Sequence, residues 1–171
     1  MIRALLETDA RLSSQMRVVE KSGWLRRAAI FLAHSGDSWF WGIGLVVVWW
    51  LGDDFWKREA FWLFVGIAVT AVIAQALKWL FRRQRPPGEW GAIYRSADPH
   101  SFPSGHAARM AMLTVLGFAV GPGPIWFALL LLVWAPLVAL ARVAMGIHYL
   151  SDIGAGALLG LLIGLAMVYF L

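Results

Sequence analysis

The stretch AFWLFVGIAVTAVIAQALKWLF, residues 60–81, is the strongest constraint on what this chain can fold into. A helix needs roughly 20 mostly apolar residues to cross a bilayer, and this run supplies them. Inside hydrocarbon every backbone N–H and C=O must find a partner within the protein, and a single segment manages that only as a helix. Three more segments meet or approach the same length: residues 106–120, residues 125–143 (IWFALLLLVWAPLVALARV) and residues 153–171 (IGAGALLGLLIGLAMVYFL). A shorter run, WFWGIGLVVVWWL at 39–51, predicts a fifth span with Trp39 and Trp49/Trp50 at its two interfaces. The fold class read from this pattern is all-α: a polytopic transmembrane helical bundle of five or six spans. The sixth span would come from residues 24–34. The stretch that contains them, WLRRAAIFLAHSGDS, otherwise reads as a half-inserted or re-entrant helix broken at Ser35-Gly36.

Length and composition agree with one membrane-embedded domain, residues 1–171, with an interfacial N-terminal portion at 1–36 and a helical core at 37–171. The chain is 60% hydrophobic and carries 11 tryptophans, a residue favoured at the membrane–water boundary. It has no cysteine, which excludes disulfides, thiolate catalysis and Cys-ligated zinc. The net charge of +5 comes from basic residues that flank apolar runs. Their natural partner is anionic lipid or a phosphorylated substrate rather than nucleic acid. The first 24 residues carry charges throughout and lack the apolar centre of a cleavable signal peptide. Leu5, Leu6, Leu12, Met16 and Val19 fall roughly on one helical face, which predicts an amphipathic helix at the membrane surface or a solvated helix packed on the bundle. Further along, GPGP at 121–124 stops a helix, Pro136 predicts a kink, and Gly154, Gly156, Gly160 and Gly164 suit close helix packing.

If the spans alternate in direction, the end of 60–81, the start of 106–120, the end of 125–143 and the start of 153–171 share one membrane face. Every unusual polar residue gathers there, in three clusters. The first is Lys78-WLFRRQ-Arg85-Pro86. Cations at a span end are commonly snorkelling anchors, but an arginine fork also matches phosphate oxygens and a lysine adds a point charge. The second is Pro103-Ser104-Gly105-His106. It reads as an ordinary helix start, and equally as an anion site. Free N–H groups and the positive dipole end face outward, Ser104 adds a hydroxyl, Gly105 lets its N–H come close, and His106 can exchange a proton. The third is Arg142-VAMGI-His148-YLS-Asp152. His148 and Asp152 share a face if this stretch is helical, and a carboxylate on one imidazole nitrogen leaves the other free as a nucleophile or base. Together the clusters supply two imidazoles, a carboxylate and four or five anion donors. That inventory fits phosphoryl transfer, and it lacks the clustered carboxylates a magnesium site would need, so no metal and no cofactor is expected.

Lys78-x6-Arg85-Pro86, Pro103-Ser104-Gly105-His106 and Arg142-x5-His148-x3-Asp152 resemble the three-part signature of the type 2 phosphatidic acid phosphatase superfamily. The resemblance implies a membrane lipid phosphatase acting through a phosphohistidine intermediate. The substrate would be a lipid phosphomonoester or diphosphate, polyprenyl or phosphatidic-acid-like, with the prenyl diphosphate favoured by the extra arginines. His148 would attack phosphorus, Asp152 would orient it, and His106 would protonate the leaving group and then activate water. Lys78, Arg85, Arg142, Ser104 and the Gly105 N–H would bind phosphoryl oxygens. Arg82 and Arg83 lie outside the motif and are headgroup candidates or simple interfacial cations. His34 and His100 match no motif position and are read as structural or loop residues, with Asp98 a candidate for gating. One departure is visible: the third motif usually opens Ser-Arg, and here it is Ala141-Arg142.

The implied location is a bacterial inner membrane, crossed several times. With five spans, Arg3, Arg11, Arg17, Lys21, Arg26 and Arg27 join the active-site face and the positive-inside rule places that face in the cytoplasm. With six, those charges move to the other side.

Overall fold

The computed structural model describes residues 2–18, 20, 22–119 and 125–170. The described residues form eight helices: α1 (Ile2–Gln15), α2 (Trp24–Ser35), α3 (Ser38–Leu51), α4 (Asp54–Phe81), α5 (Glu89–Ala97), α6 (Gly105–Ala119), α7 (Ile125–Ala144) and α8 (Leu150–Val168). Among them the only strand-like pairing is an isolated antiparallel bridge between Gln84 and His100. By length and composition α4, α7 and α8 can each cross a membrane, and α3 is a shorter apolar helix. The GPGP stop at 121–124 lies outside the described residues.

The longest helix sets the scale. α4 opens on an Asp53 cap, whose carboxylate accepts the Trp56 N–H at 3.1 Å, and runs 28 residues. At about 1.5 Å per residue that is about 42 Å, longer than the roughly 30 Å of bilayer hydrocarbon. The excess carries Lys78 to one boundary. The helix ends where Arg82 turns left-handed at φ 49° and returns its N–H to the Lys78 carbonyl.

The expected span 106–120 is α6, and it is the interior of the bundle: α4, α7 and α8 all pack on it. Met110, Met112, Leu113 and Leu116 are fully enclosed and meet Leu63, Ile67 and Leu131 from the neighbouring helices. α8 reaches α6 closely because three of its glycines face it. A Cβ on Gly156 would run into the Ser104 carbonyl, one on Gly160 into the Ala108 carbonyl, and one on Gly164 would stand 2.7 Å from Val115 Cβ. The fourth glycine of the series, Gly154, meets nothing within 4 Å. The outward faces keep large apolar side chains in the open, among them Trp50, Leu80, Val72, Trp126 and Leu165. A continuous apolar exterior of this kind belongs against lipid.

The N-terminal portion sits on the face where α4 and α7 end and α6 and α8 begin. α1 turns polar residues inward: Ser13 Oγ accepts the Leu150 N–H at 2.9 Å, and Asp9 accepts the Ser151 N–H at 3.1 Å. Its Leu5, Leu6 and Leu12 are exposed, as an interfacial helix requires, while Val19 lies outside the described residues. α2 stops at Ser35, where the break was expected, and lays Ala29 and Ala33 against Ala141, Met145 and Ile147. The side chain at 141, the one departure from the family pattern, is therefore a small contact for α2.

Candidate active site

The nucleophile candidate is placed by a turn and a helix cap. After α7 the chain turns through Gly146 at φ 66°, and the Ile147 and His148 N–H groups both donate to the Arg142 carbonyl, at 3.0 and 3.3 Å. Asp152 then sits three residues past the Tyr149 cap of α8. Its Oδ2 accepts the Tyr149 N–H at 2.9 Å and its Oδ1 accepts Arg83 at 2.7 Å. His148 and Asp152 do not share a helical face as the four-residue spacing suggested, because His148 precedes the helix. The carboxylate folds back as a cap and lies 3.5 Å from His148 Nδ1. On the ring's other side, Arg85 approaches Nε2 at 3.3 Å. A guanidinium only donates, so Nε2 bears the lone pair and Nδ1 the proton, which points to Asp152. Burial, with Arg85 and Arg142 nearby, pushes the His148 pKa down to about 3 against the pull of Asp152.

Three motif cations, Lys78, Arg85 and Arg142, lie close enough to feel one another's charge. Arg85 is buried and donates to the Ile147 carbonyl at 3.1 Å and to the Asp98 carboxylate at 2.8 Å. Lys78 pairs with the same Asp98 oxygen. Arg142 is 1% exposed and has no carboxylate within ion-pair distance among the described residues. It donates once, to the Tyr94 hydroxyl at 3.1 Å, and lies over that ring at 4.6 Å, while its Nε has no partner. Its charge is felt at Lys78, Arg85, His106 and His148. A buried, largely unpartnered guanidinium is held at a cost unless an anion is meant to meet it.

The Pro103-Ser104-Gly105-His106 stretch starts α6 as expected. The buried Ser104 hydroxyl accepts the Ala107 N–H at 3.4 Å, and the Ser104 N–H donates to the Asp152 carbonyl at 2.9 Å, which ties the second motif to the third. Gly105 opens the helix with only Ala74 near its missing Cβ, at 4.0 Å. His106 Nε2 lies 2.6 Å from Asp37 Oδ1, at the α2–α3 junction.

The two extra arginines separate. Arg83 is bonded to Asp152, to Ser151 at 2.6 Å and to Asp9 at 2.7 Å, and it stacks on Tyr149 at 4.0 Å. It serves the Asp152 carboxylate rather than facing outward. Arg82 is exposed and donates to the Trp79 carbonyl at 3.0 Å.

Several site residues escaped the sequence reading. Tyr94 comes from α5, a short helix inside what reads as a loop. Asp9 comes from α1. Asp37 touches His106 across 69 positions. Arg109 donates to the Gly36 carbonyl. Of these only Arg109 carried a signal, as a charge inside an apolar segment. Asp98, expected only as a gating candidate, is the carboxylate shared by Lys78 and Arg85.

A family model described as the PAP2 superfamily matches residues 59–171, which holds all three motifs. The chain belongs to the PAP2 superfamily. It is 34% identical over 166 residues to decaprenylphosphoryl-5-phosphoribose phosphatase of Mycobacterium tuberculosis, an alignment covering 92% of this chain and 86% of that protein. It is 29% identical over 101 residues to the lipid A 1-phosphatase of Porphyromonas gingivalis, covering 58% of this chain and 21% of that one. Its fold matches the crystal structure of a transmembrane PAP2-type phosphatidylglycerolphosphate phosphatase from Bacillus subtilis with a TM-score of 0.80 at 22% identity, over 98% of this chain and 86% of the other. The chain is accordingly a phosphatase of the PAP2 superfamily and an integral membrane protein.

Proposed function

We propose that this PAP2 phosphatase hydrolyses a lipid phosphomonoester through a phosphohistidine on His148. The observation that carries the reading is the cluster itself: a neutral imidazole with its lone pair facing Arg85, Lys78 on the same Asp98 oxygen as Arg85, and Arg142 buried nearby without a carboxylate among the described residues. The phosphoryl group enters between these cations and displaces the Asp98 carboxylate from Lys78 and Arg85. Ser104 and the Gly105 N–H complete its cradle. The His148 Nε2 lone pair forms the N–P bond as the ester oxygen leaves, and that oxygen takes a proton from His106. Water then attacks phosphorus, gives its proton to His106, and the P–N electron pair returns to His148. Positioning and cationic neutralisation carry the chemistry, so the mechanism draws on no metal.

A polyprenyl-linked monophosphate is favoured over a diphosphate. Arg83, one of the two arginines that suggested a second phosphate, is engaged by Asp9 and Asp152. The Mycobacterium relative is named for a decaprenyl-linked phosphoribose. An apolar groove of about 420 Å³ between α2, α3 and α7, lined by Phe31, Trp39, Phe40, Leu130 and Trp134, opens beside His34 and suits a lipid chain. We further read five membrane passages, α3, α4, α6, α7 and α8, in a bacterial inner membrane. α1 and α2 then lie on the active-site face.

The test is phosphate release from detergent-solubilised enzyme with EDTA present, over polyprenyl monophosphate, polyprenyl diphosphate and phosphatidic acid. Release that vanishes in H148A and is fastest on the polyprenyl monophosphate supports the reading. Wild-type turnover in H148A would sink the nucleophile, and a preference for the diphosphate would sink the substrate assignment.

A further inference from the structure

Only Gly36 and Asp37 separate α2 from α3, and that junction is built rather than loose. The Asp37 N–H donates to the His34 carbonyl at 2.9 Å, and the Trp41 N–H to the Asp37 carbonyl at 3.3 Å. The Trp41 indole donates to the Ser35 carbonyl at 3.1 Å, and the Trp134 indole to the Ser35 hydroxyl at 2.9 Å. Arg109 of α6 donates to the Gly36 carbonyl, and a Cβ on Gly36 would stand 2.6 Å from Val138. Three helices thus fix one short junction, and the junction presents one carboxylate.

We infer that this junction gives the second histidine its own carboxylate: Asp37 is a positioning residue for His106, and His34 and Trp39 hold Asp37 in place. The inference rests on the reading that His106 is the proton donor of the reaction. Asp37 Oδ1 faces His106 Nε2 at 2.6 Å. Its Oδ2 faces His34 Nδ1 at 3.1 Å and accepts the Trp39 indole N–H at 3.3 Å. Both carboxylate oxygens are therefore committed, which sets the plane of the carboxylate and through it the His106 ring. Burial opposes the charge on Asp37, and the hydrogen bonds from His106 and His34 outweigh it, holding this carboxyl well below the usual carboxylate range.

The electrostatic setting explains why such a partner is needed. Arg142 from α7 and Arg109 from α6 both face His106, as does the positive start of α6 itself. A histidine asked to carry a second proton among those charges needs an adjacent anion, and Asp37 is the carboxylate bonded to it. With Nε2–H held by Asp37, Nδ1 carries the transferable proton once the phosphoryl anion has entered and offset those charges. It goes to the leaving oxygen when the P–O bond breaks, and Nδ1 recovers one from the water that attacks the phosphohistidine. Asp37 itself neither gains nor loses a proton. The arrangement parallels Asp152 and His148: each imidazole has a carboxylate behind it, one supplied by the third motif and the other by the α2–α3 junction.

The experiment compares D37N, D37E, H34A and H106A on two kinds of substrate. A lipid phosphomonoester leaves as an alkoxide and needs a proton, whereas p-nitrophenyl phosphate releases a phenolate that does not. D37N is expected to lose roughly a hundredfold in kcat on phosphatidic acid or a polyprenyl monophosphate, within the range a general acid supplies. Its KM stays near wild type, because Asp37 does not touch the phosphate. The first-turnover burst of p-nitrophenolate keeps its wild-type rate, and D37E recovers part of the lost lipid turnover. H34A perturbs a partly exposed side chain and carries less risk to folding, and it shows the same selective loss to a smaller degree. Equal losses on both substrates, or wild-type lipid turnover in D37N, would overturn the inference. If D37N does not fold, H34A decides in the same way. H106A separates the two levels: if it keeps wild-type lipid turnover, the proton-donor reading itself has failed.

Discussion

Arg142→Met should make the enzyme much slower and more stable at once. The substitution keeps most of the side-chain volume and removes the charge. In the structure Arg142 is buried, bonds one neutral hydroxyl at 3.1 Å, and leaves its Nε without a partner. An effective penalty of several kcal/mol attaches to a buried ion without a counter-charge, and about 1–3 kcal/mol to an unmade hydrogen bond. Against this stand the Tyr94 hydrogen bond and the cation–π contact at 4.6 Å, together about 3 kcal/mol. The balance favours Met by roughly 1–3 kcal/mol, the size seen when buried charges are replaced by apolar isosteres. At about 2–4 °C per kcal/mol the melting temperature rises by several degrees. The assay is tryptophan-fluorescence melting in detergent with and without inorganic phosphate. Phosphate at a hundred times its Kd stabilises the wild type by about 2.7 kcal/mol and leaves Arg142→Met nearly unmoved. kcat/KM falls by roughly 10²–10³, as for loss of one transition-state donor. A variant that melts below wild type and still gains stability from phosphate would show instead that Arg142 is structural.

Three further outcomes follow from the same geometry. D98N removes the anion shared by Lys78 and Arg85, so inorganic phosphate should inhibit it at roughly tenfold lower concentration, measured as product inhibition; weaker inhibition would show that Asp98 instead orients the cations. G160A places a methyl on the Ala108 carbonyl and should lower stability by about 1–3 kcal/mol in thermal melts, whereas G154A has open space and should be neutral. His148, pushed down to about 3 by burial, should remain neutral with its proton on Nδ1 in imidazole nitrogen NMR at pH 5, where an ordinary histidine is charged. The same shift has a stability sign. Between the ordinary value near 6.5 and about 3 the unfolded chain binds a proton at His148 that the folded chain does not, so the fold loses stability as pH falls through that window.

What could be read from the sequence divides along physical lines. Apolar length located α4 and α7 within a few residues at the site end, because span length is imposed by the bilayer and leaves a one-dimensional trace. The three motifs were legible for a similar reason: each lies at a helix end, so the alternation of spans suffices to gather them. The start of α8 was not, because Asp152 acts as its cap and the helix opens three residues before the apolar run. α5 was missed as a short amphipathic turn between Gly88 and Asp98, and with it the Tyr94 and Asp98 contacts to the cations. Asp37 was invisible because its meaning is a contact to His106 across 69 positions, and nothing local distinguishes it from a helix cap. The glycine series was half readable: spacing suggested all four, and only packing against α6 separates Gly156, Gly160 and Gly164 from Gly154.

In the proposed reaction phosphorus passes through His148. Rapid acid-free quenching of enzyme with p-nitrophenyl phosphate radiolabelled in its phosphate, whose phenolate leaves without a proton, followed by peptide mapping, tests it most directly. An acid-labile, base-stable label is expected on the peptide containing His148. The label is absent in H148A and accumulates in H106A, where water is no longer activated. A label that appears elsewhere, or none at all in H106A while H148A still releases phosphate, would contradict it.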